Sequence, residues 1–200
     1  MSRENALALR FKEAIRANQA ATDLFDETFC HFLGINRTDG RCLDIVDRFG
    51  KVSAGQLAIE SGLSTGAVTA VIDRLEAAGY LRRVRDAVDR RKVWVETTET
   101  VREITRQVFS YYMSMGGAIE AQFTPVELDA IMRFLNIGSF LNIELAAALR
   151  EHFNPDARTA EARAEQARLF ARAMAASAPR LDAEVRAIDS GFCDPAKKGR

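Results

Sequence analysis

The stretch from Ser53 to Thr98 constrains the fold more than any other part of the chain. Ser53 followed by Gln56 is a capping box that opens a short helix, which is expected to bury Leu57, Ala58 and Ile59 and stops before Gly62. Ser64 caps a second helix that runs to Gly79 with Val68, Ile72 and Leu75 on one face. "YLRRV" and "KVWVE" then read as two strands joined by a tip from Arg85 to Arg91. A helix, a glycine turn, a helix and a hairpin in that order leave few topologies open.

A β-hairpin placed directly after a helix-turn-helix makes a winged helix, and long helices flank it. Residues 3 to 33 carry Ala8, Phe11, Ile15, Asn18, Thr22, Phe25, Phe29 and Phe32 at alternating steps of three and four, close to a 3.5 period, before Gly34. Such a helix packs against others along its whole length. Thr38 is the expected N-cap of the next helix, which carries Cys42, Leu43, Ile45, Val46 and Phe49. Thr98 opens a long helix to about residue 120, weakened near Gly116-Gly117. "TPVE" at 124 to 127 opens another, to about residue 150, that is apolar around most of its girth. One neighbour could not cover that much apolar surface, which predicts an oligomer. After Asn154-Pro155, a helix over 156 to 176, a separate short helix from Pro179 to Ile188 and a disordered tail are expected.

The predicted fold class is therefore mainly α with a small β-hairpin wing: a winged helix-turn-helix flanked by long dimerisation helices. Residues 1–34 form the N-terminal dimerisation helix, 35–98 the winged lobe, 99–150 the C-terminal dimerisation helices, and 151–200 an extra helical extension with its tail.

Charge is informative only locally. Twenty-eight basic and 28 acidic residues cancel, so the whole molecule is not drawn to a polyanion. Between Arg82 and Lys92, however, six cations (Arg82, Arg83, Arg85, Arg90, Arg91, Lys92) face only Asp86 and Asp89. A charged hairpin can serve merely to block edge-to-edge aggregation. Beside a helix-turn-helix it can also reach the DNA minor groove while the second helix enters the major groove. An acid at such a tip weakens attraction to phosphate. Asp89 is therefore expected to pair with Arg91 or a backbone N–H and fix how the arginines project.

These residues resemble the MarR family of winged-helix regulators. The family's wing signature D-x-R-x-x-x-V-x-L-T is occupied by Asp89, Arg91, Val95 and Thr98, with Thr97 in place of the Leu. "GLSTGAVTAVIDRLEAAGYLRR", residues 62 to 83, is similar to the family's recognition helix running into the first wing strand. The likeness covers roughly residues 5 to 150. It departs at Ala87, where Pro is common, and the family pattern does not account for residues 155 to 200. The resemblance implies a homodimer that binds a pseudo-palindromic operator in double-stranded DNA, acts by default as a repressor, and is released by a small aromatic effector.

On that reading Ser64, Thr65, Gly66, Thr69 and Ala70 face the DNA. They are small side chains that permit close approach without a bidentate base contact. Arg74 is placed for phosphate, and Arg83, Arg85, Arg90, Arg91 and Lys92 with Asp89 form the wing contact. Asp73 and Glu76 are ordinary surface acids or ion-pair partners of nearby arginines. Phe25, Phe29, Phe32, Phe109 and Tyr112 are candidates for the effector pocket, although aromatics at helical spacing are more often core.

Three cysteines, Cys30, Cys42 and Cys193, form no disulfide or metal pattern and fit a reducing cytoplasm. Cys30 is the one redox candidate, weakened by apolar neighbours, and Cys42 is packing. His31 and His152 lie far apart, so no metal site and no cofactor are expected. No glycine-rich phosphate loop follows a strand and no H-E-x-x-H occurs, so the chain is not expected to be an enzyme. No apolar run approaches the ~20 residues that span a bilayer, so no membrane partner is expected. The rival reading is a winged-helix dimer that acts as a protein-interaction module through its C-terminal helices.

Overall fold

The computed structural model describes residues 3–87, 89 and 92–191. The expected tail with Cys193, and the wing residues Arg90 and Arg91, lie outside the described residues. The chain divides into two compact units, residues 1–110 and 111–200.

In the first unit, α1 (Arg3–Leu33) is followed by α2 (Arg37–Phe49), β1 (Lys51–Ser53), α3 (Ala54–Ser61), α4 (Thr65–Ala77), β2 (Leu81–Arg85) and β3 (Val93–Thr97). The start of α5 (Glu99–Glu120) completes it. The capping signals act as their chemistry requires. Ser53 accepts from the Gln56 N–H and Ser64 from the Ala67 N–H. Gly62 closes α3 in the left-handed conformation at φ 68°, which a side chain would resist.

The N-cap of α2 is Asn36 rather than the expected Thr38. Its side chain accepts from the Asp39 N–H, and a shorter turn after Gly34 starts the helix two residues sooner. A third strand was also missed. β1 pairs antiparallel with β3, Val52 opposite Val95, so the sheet order is β1-β3-β2. Three residues between Gly50 and a helix cap are too few for a visible alternation.

One core fills this unit. Leu57, Val68, Ile72, Leu75, Leu81 and Val95 are fully buried, joined by Val71, which the sequence reading left off that face. Ile59, offered as a candidate core residue, is 80% exposed. Val101 of α5 and Leu33 of α1 close the cluster, and the Tyr80 hydroxyl donates to the Leu33 carbonyl at 2.8 Å. The rest of α1 lacks the expected cover: Leu7, Phe11, Leu24 and Phe32 stand exposed in the single chain.

In the second unit, α6 (Pro125–Glu151) packs on α7 (Ala160–Ala187). The Thr124–Glu127 capping box is complete, with Pro125 at the helix start. α7 is one 28-residue helix with Pro179 inside it, not two helices. Proline forfeits one helical hydrogen bond at a cost of roughly 3 kcal/mol. The Ala-rich flanks and the packing of Leu181 and Ile188 on Phe140 of α6 outweigh that cost. Arg180 bridges Glu144 at 2.7 Å, and Arg133 donates to the Ile188 carbonyl at 3.1 Å.

By length and composition alone α6 could cross a membrane, with mean hydropathy 1.2 over 18 residues, contrary to the sequence expectation. Single polar residues such as Asn136 and Asn142 interrupt the run by eye but scarcely lower its average.

Candidate nucleic-acid interface

Helix α4 owes its exposed face to its inner one. With Val68, Val71, Ile72 and Leu75 buried, Ser64, Thr65, Gly66, Thr69, Ala70, Asp73 and Arg74 are left outside. A methyl group added at Gly66 would meet nothing within 4 Å, so the protein's own packing does not demand a glycine there. The Thr69 hydroxyl donates to the Thr65 carbonyl at 3.0 Å and keeps its lone pairs for an incoming donor. The N-terminus of α4 adds the partial positive charge of unpaired N–H groups.

Gly62-Leu63-Ser64-Thr65-Gly66 matches the letters G-x-S-x-G of a hydrolase nucleophile turn. That turn needs a strand ahead of the serine. Here helix α3 precedes it, and the Ser64 oxygen is occupied as a cap.

The four described wing cations divide in two. Arg82 is bound to Glu96 at 2.5 Å, and Arg83 to Asp73 at 2.6 Å and to Glu76, so these two are neutralised. Hydrogen bonds to those carboxylates, Asp73 first, hold the Arg83 guanidinium above its ordinary pKa. Arg85 and Lys92 are exposed and make no ion pair among the described residues. Among the described residues the cations at the base of the hairpin are thus paired, and those beside the tip are not.

Asp86 organises that tip. Its carboxylate accepts from the Trp94 indole N–H at 2.7 Å and from the Asp89 backbone N–H at 2.9 Å. Its own N–H donates to the Lys92 carbonyl at 3.0 Å, and the Lys92 N–H donates to the Asp89 carbonyl at 2.8 Å. The expected pairing of Asp89 with Arg91 lies outside the described residues; Asp86, three residues earlier, is a second acid that ties the tip together. The clue available in the sequence was the spacing of Asp86 and Trp94 across a short hairpin.

Arg74 is also committed. Its Nε lies 3.0 Å and its Nη2 2.5 Å from the two carboxylate oxygens of Asp39, a buried residue of α2. No local sequence signal links two residues 35 positions apart.

A cleft of about 630 Å³ lies in the first unit, between α1, α2 and the start of α5. Phe29 and Phe109 line it in edge-to-face contact at 5.4 Å, and Phe25 packs on both. Phe32 and Tyr112, also expected here, do not line it and are 68% and 67% exposed. Phe25, expected here as well, packs on the two lining rings without lining the cleft itself. Asp26, Asp44 and Asp47 stand at the cleft. Cys30 and Cys42 are buried there, and burial raises both thiols above their usual pKa, which lowers their reactivity. Among the described residues no group of three His, Cys, Asp or Glu could hold a metal.

A helix-turn-helix followed by a cationic hairpin defines a winged helix-turn-helix protein. The MarR family model matches residues 35–93, from the start of α2 into β3. The HTH-type transcriptional regulator YcgE of Bacillus subtilis is 35% identical over 114 residues, covering 57% of this chain and 74% of that protein. The B. subtilis regulator YwhA is 32% identical over 103 residues, 52% of this chain and 72% of its own. The crystal structure of Streptococcus pneumoniae FabT in complex with DNA superposes with a TM-score of 0.53 at 25% identity, covering 68% of this chain and 97% of FabT. The chain belongs to the MarR family. Membership places it among transcriptional regulators rather than enzymes.

Proposed function

We propose that this protein is a cytoplasmic, homodimeric repressor that binds a pseudo-palindromic operator in double-stranded DNA. The observation that carries the reading is the small, open face of α4 (Ser64, Thr65, Gly66, Thr69, Ala70) followed in sequence by a wing whose Arg85 and Lys92 are exposed and make no ion pair among the described residues. The helix enters the major groove. Arg85 and Lys92, with Arg90 and Arg91, reach phosphates and the adjacent minor groove, and Asp86 and Asp89 shape their approach. The likeness to FabT, crystallised with DNA, supports this assignment. The apolar side chains left open along α6 support a two-fold assembly, which sets two recognition helices roughly 34 Å apart.

The effector reading rests on the aromatic wall of the cleft. Asp26, Asp44 and Asp47 line it together with Arg37 and Arg41, a mixed set of charges that suits an uncharged aromatic molecule.

The test is to select a duplex from a random library with the wild-type protein and follow its binding by fluorescence anisotropy across a salt series. Wild type should bind it tightly with a steep salt dependence, and Arg91→Ala should lose about 1–3 kcal/mol. Binding no tighter than to a shuffled duplex would overturn the proposal and favour a partner-binding role for the C-terminal helices.

A further inference from the structure

We propose that Asp39 is a positioning residue for DNA reading, acting through Arg74 to fix the recognition helix α4. The inference rests on the DNA-binding role proposed above and adds to it a buried anchor that touches no DNA.

Asp39 sits in the first turn of α2 and is 3% exposed. Its carboxylate is engaged on every side. Asn36 donates its side-chain N–H to Oδ2 at 2.8 Å, while its side-chain Oδ1 accepts from the Asp39 backbone N–H at 2.9 Å. Arg74 then takes both oxygens in a fork, Nε on Oδ2 and Nη2 on Oδ1. The cap of α2 thus holds the carboxylate still, and the carboxylate holds the guanidinium. Planar bidentate pairing specifies an orientation as well as a distance.

Arg74 lies one turn beyond Ala70 on the exposed face of α4, so fixing its guanidinium fixes the rotation of that face. Asn36, Arg37 and Thr38 lie across a shallow groove from Ala67, Ala70 and Arg74, which brings the start of α2 against the reading helix. Base contacts by small side chains tolerate little misplacement, on the order of 0.5 Å. The Arg83 bridges to Asp73 and Glu76 also grip α4, but they are largely exposed and screened. In the Asp39 pair the carboxylate is buried while Arg74 is half exposed, and a buried carboxylate deprived of its partner is costly to keep charged. With its Nε–Nη2 edge on Asp39, the guanidinium keeps its Nη1–Nη2 edge, so titration of the variants separates a positioning role from a phosphate contact through that edge.

The full-length protein would be titrated with the selected duplex and with a shuffled duplex of the same length, across a salt series, as wild type, Asp39→Asn, Arg74→Gln and the double variant. Thermal melts of each would be recorded alongside. Each single variant should lose about 5- to 100-fold on the selected duplex, the scale of one lost base-pair contact. On the shuffled duplex each should stay within about twofold of wild type, the salt slope should not change, and the double variant should match the singles. Arg74→Lys, which keeps the charge but not the fork, should restore little.

A phosphate contact by Arg74 would overturn the proposal. Arg74→Gln would then weaken both duplexes alike and lower the salt slope by about 1, while Asp39→Asn would leave binding unchanged or tighter. If Asp39→Asn fails to fold, Arg74→Gln and Arg74→Lys at the half-exposed end of the pair carry the same distinction. Wild-type protein that does not discriminate the two duplexes refutes the DNA-binding reading itself, and this proposal with it.

Discussion

The two units of this chain bury their apolar residues very differently. In residues 1–110 the winged lobe closes on itself: ten side chains from Cys42 to Val95 are nearly inaccessible, and sheet, helices and caps converge on them. In residues 111–200 the buried cluster is Phe140, Leu181 and Ile188, while Met113, Val126, Leu135, Leu149 and Phe153 stand open. Contiguous apolar surface on this scale marks a contact surface. The reading lobe is finished within one chain, whereas the helices that follow it leave apolar side chains open, the surface on which the proposed second copy would pack.

The largest effect expected is on that open surface. Ile131→Glu with Leu135→Glu should turn a dimer into a monomer in sedimentation. Operator affinity should fall by about 100-fold or more, because one lobe then binds without the avidity of two. An unchanged dimer would move the interface elsewhere.

Next in size is the lobe. Leu57→Ala should cost about 2–5 kcal/mol in urea unfolding without changing the oligomeric state. A loss of dimer in step with stability would mean the two regions are not separable.

A smaller effect tests how α1 grips α2. A methyl group at Gly40 would run into the Cys30 sulfur, so Gly40→Ala should cost about 1–3 kcal/mol. Cys30→Ala should recover most of it, and failure to do so would leave the clash without its named partner.

The smallest effect runs in the opposite direction for stability. Gly66→Ala fills open space in a helix and should stabilise by roughly 0.5–1 kcal/mol in the same denaturant assay. Operator binding should weaken at the same time, since the added methyl occupies the approach to the bases. Full binding would remove Gly66 from the interface.

These contrasts follow what could be read from the sequence. The capping residues Ser53, Ser64 and Thr124, the glycine turn at Gly62 and the period of Val68, Ile72 and Leu75 are local signals, and the structure places each as its chemistry requires. β1 escaped because three residues carry no period. The continuity of α7 through Pro179 escaped because packing of Leu181 against Phe140 overrides a local breaker.

The candidate site was legible as a face but not as a network. Exposure of Ser64, Thr65, Gly66, Thr69 and Ala70 follows from helical geometry. The forks that commit Arg74 to Asp39, and Arg83 to Asp73 and Glu76, need neighbours brought close by the fold. Asp86 was visible only as a charge subtracted from the wing, although its bond to Trp94 sets the wing's shape.

The most direct test of the account is the mass of the protein–DNA complex by analytical ultracentrifugation, with the selected duplex at near-physiological salt. A two-fold reader gives a dimer in the free protein and two chains on one duplex whose half-sites repeat about one helical turn apart. A monomer at every concentration, or one chain per duplex, would contradict it.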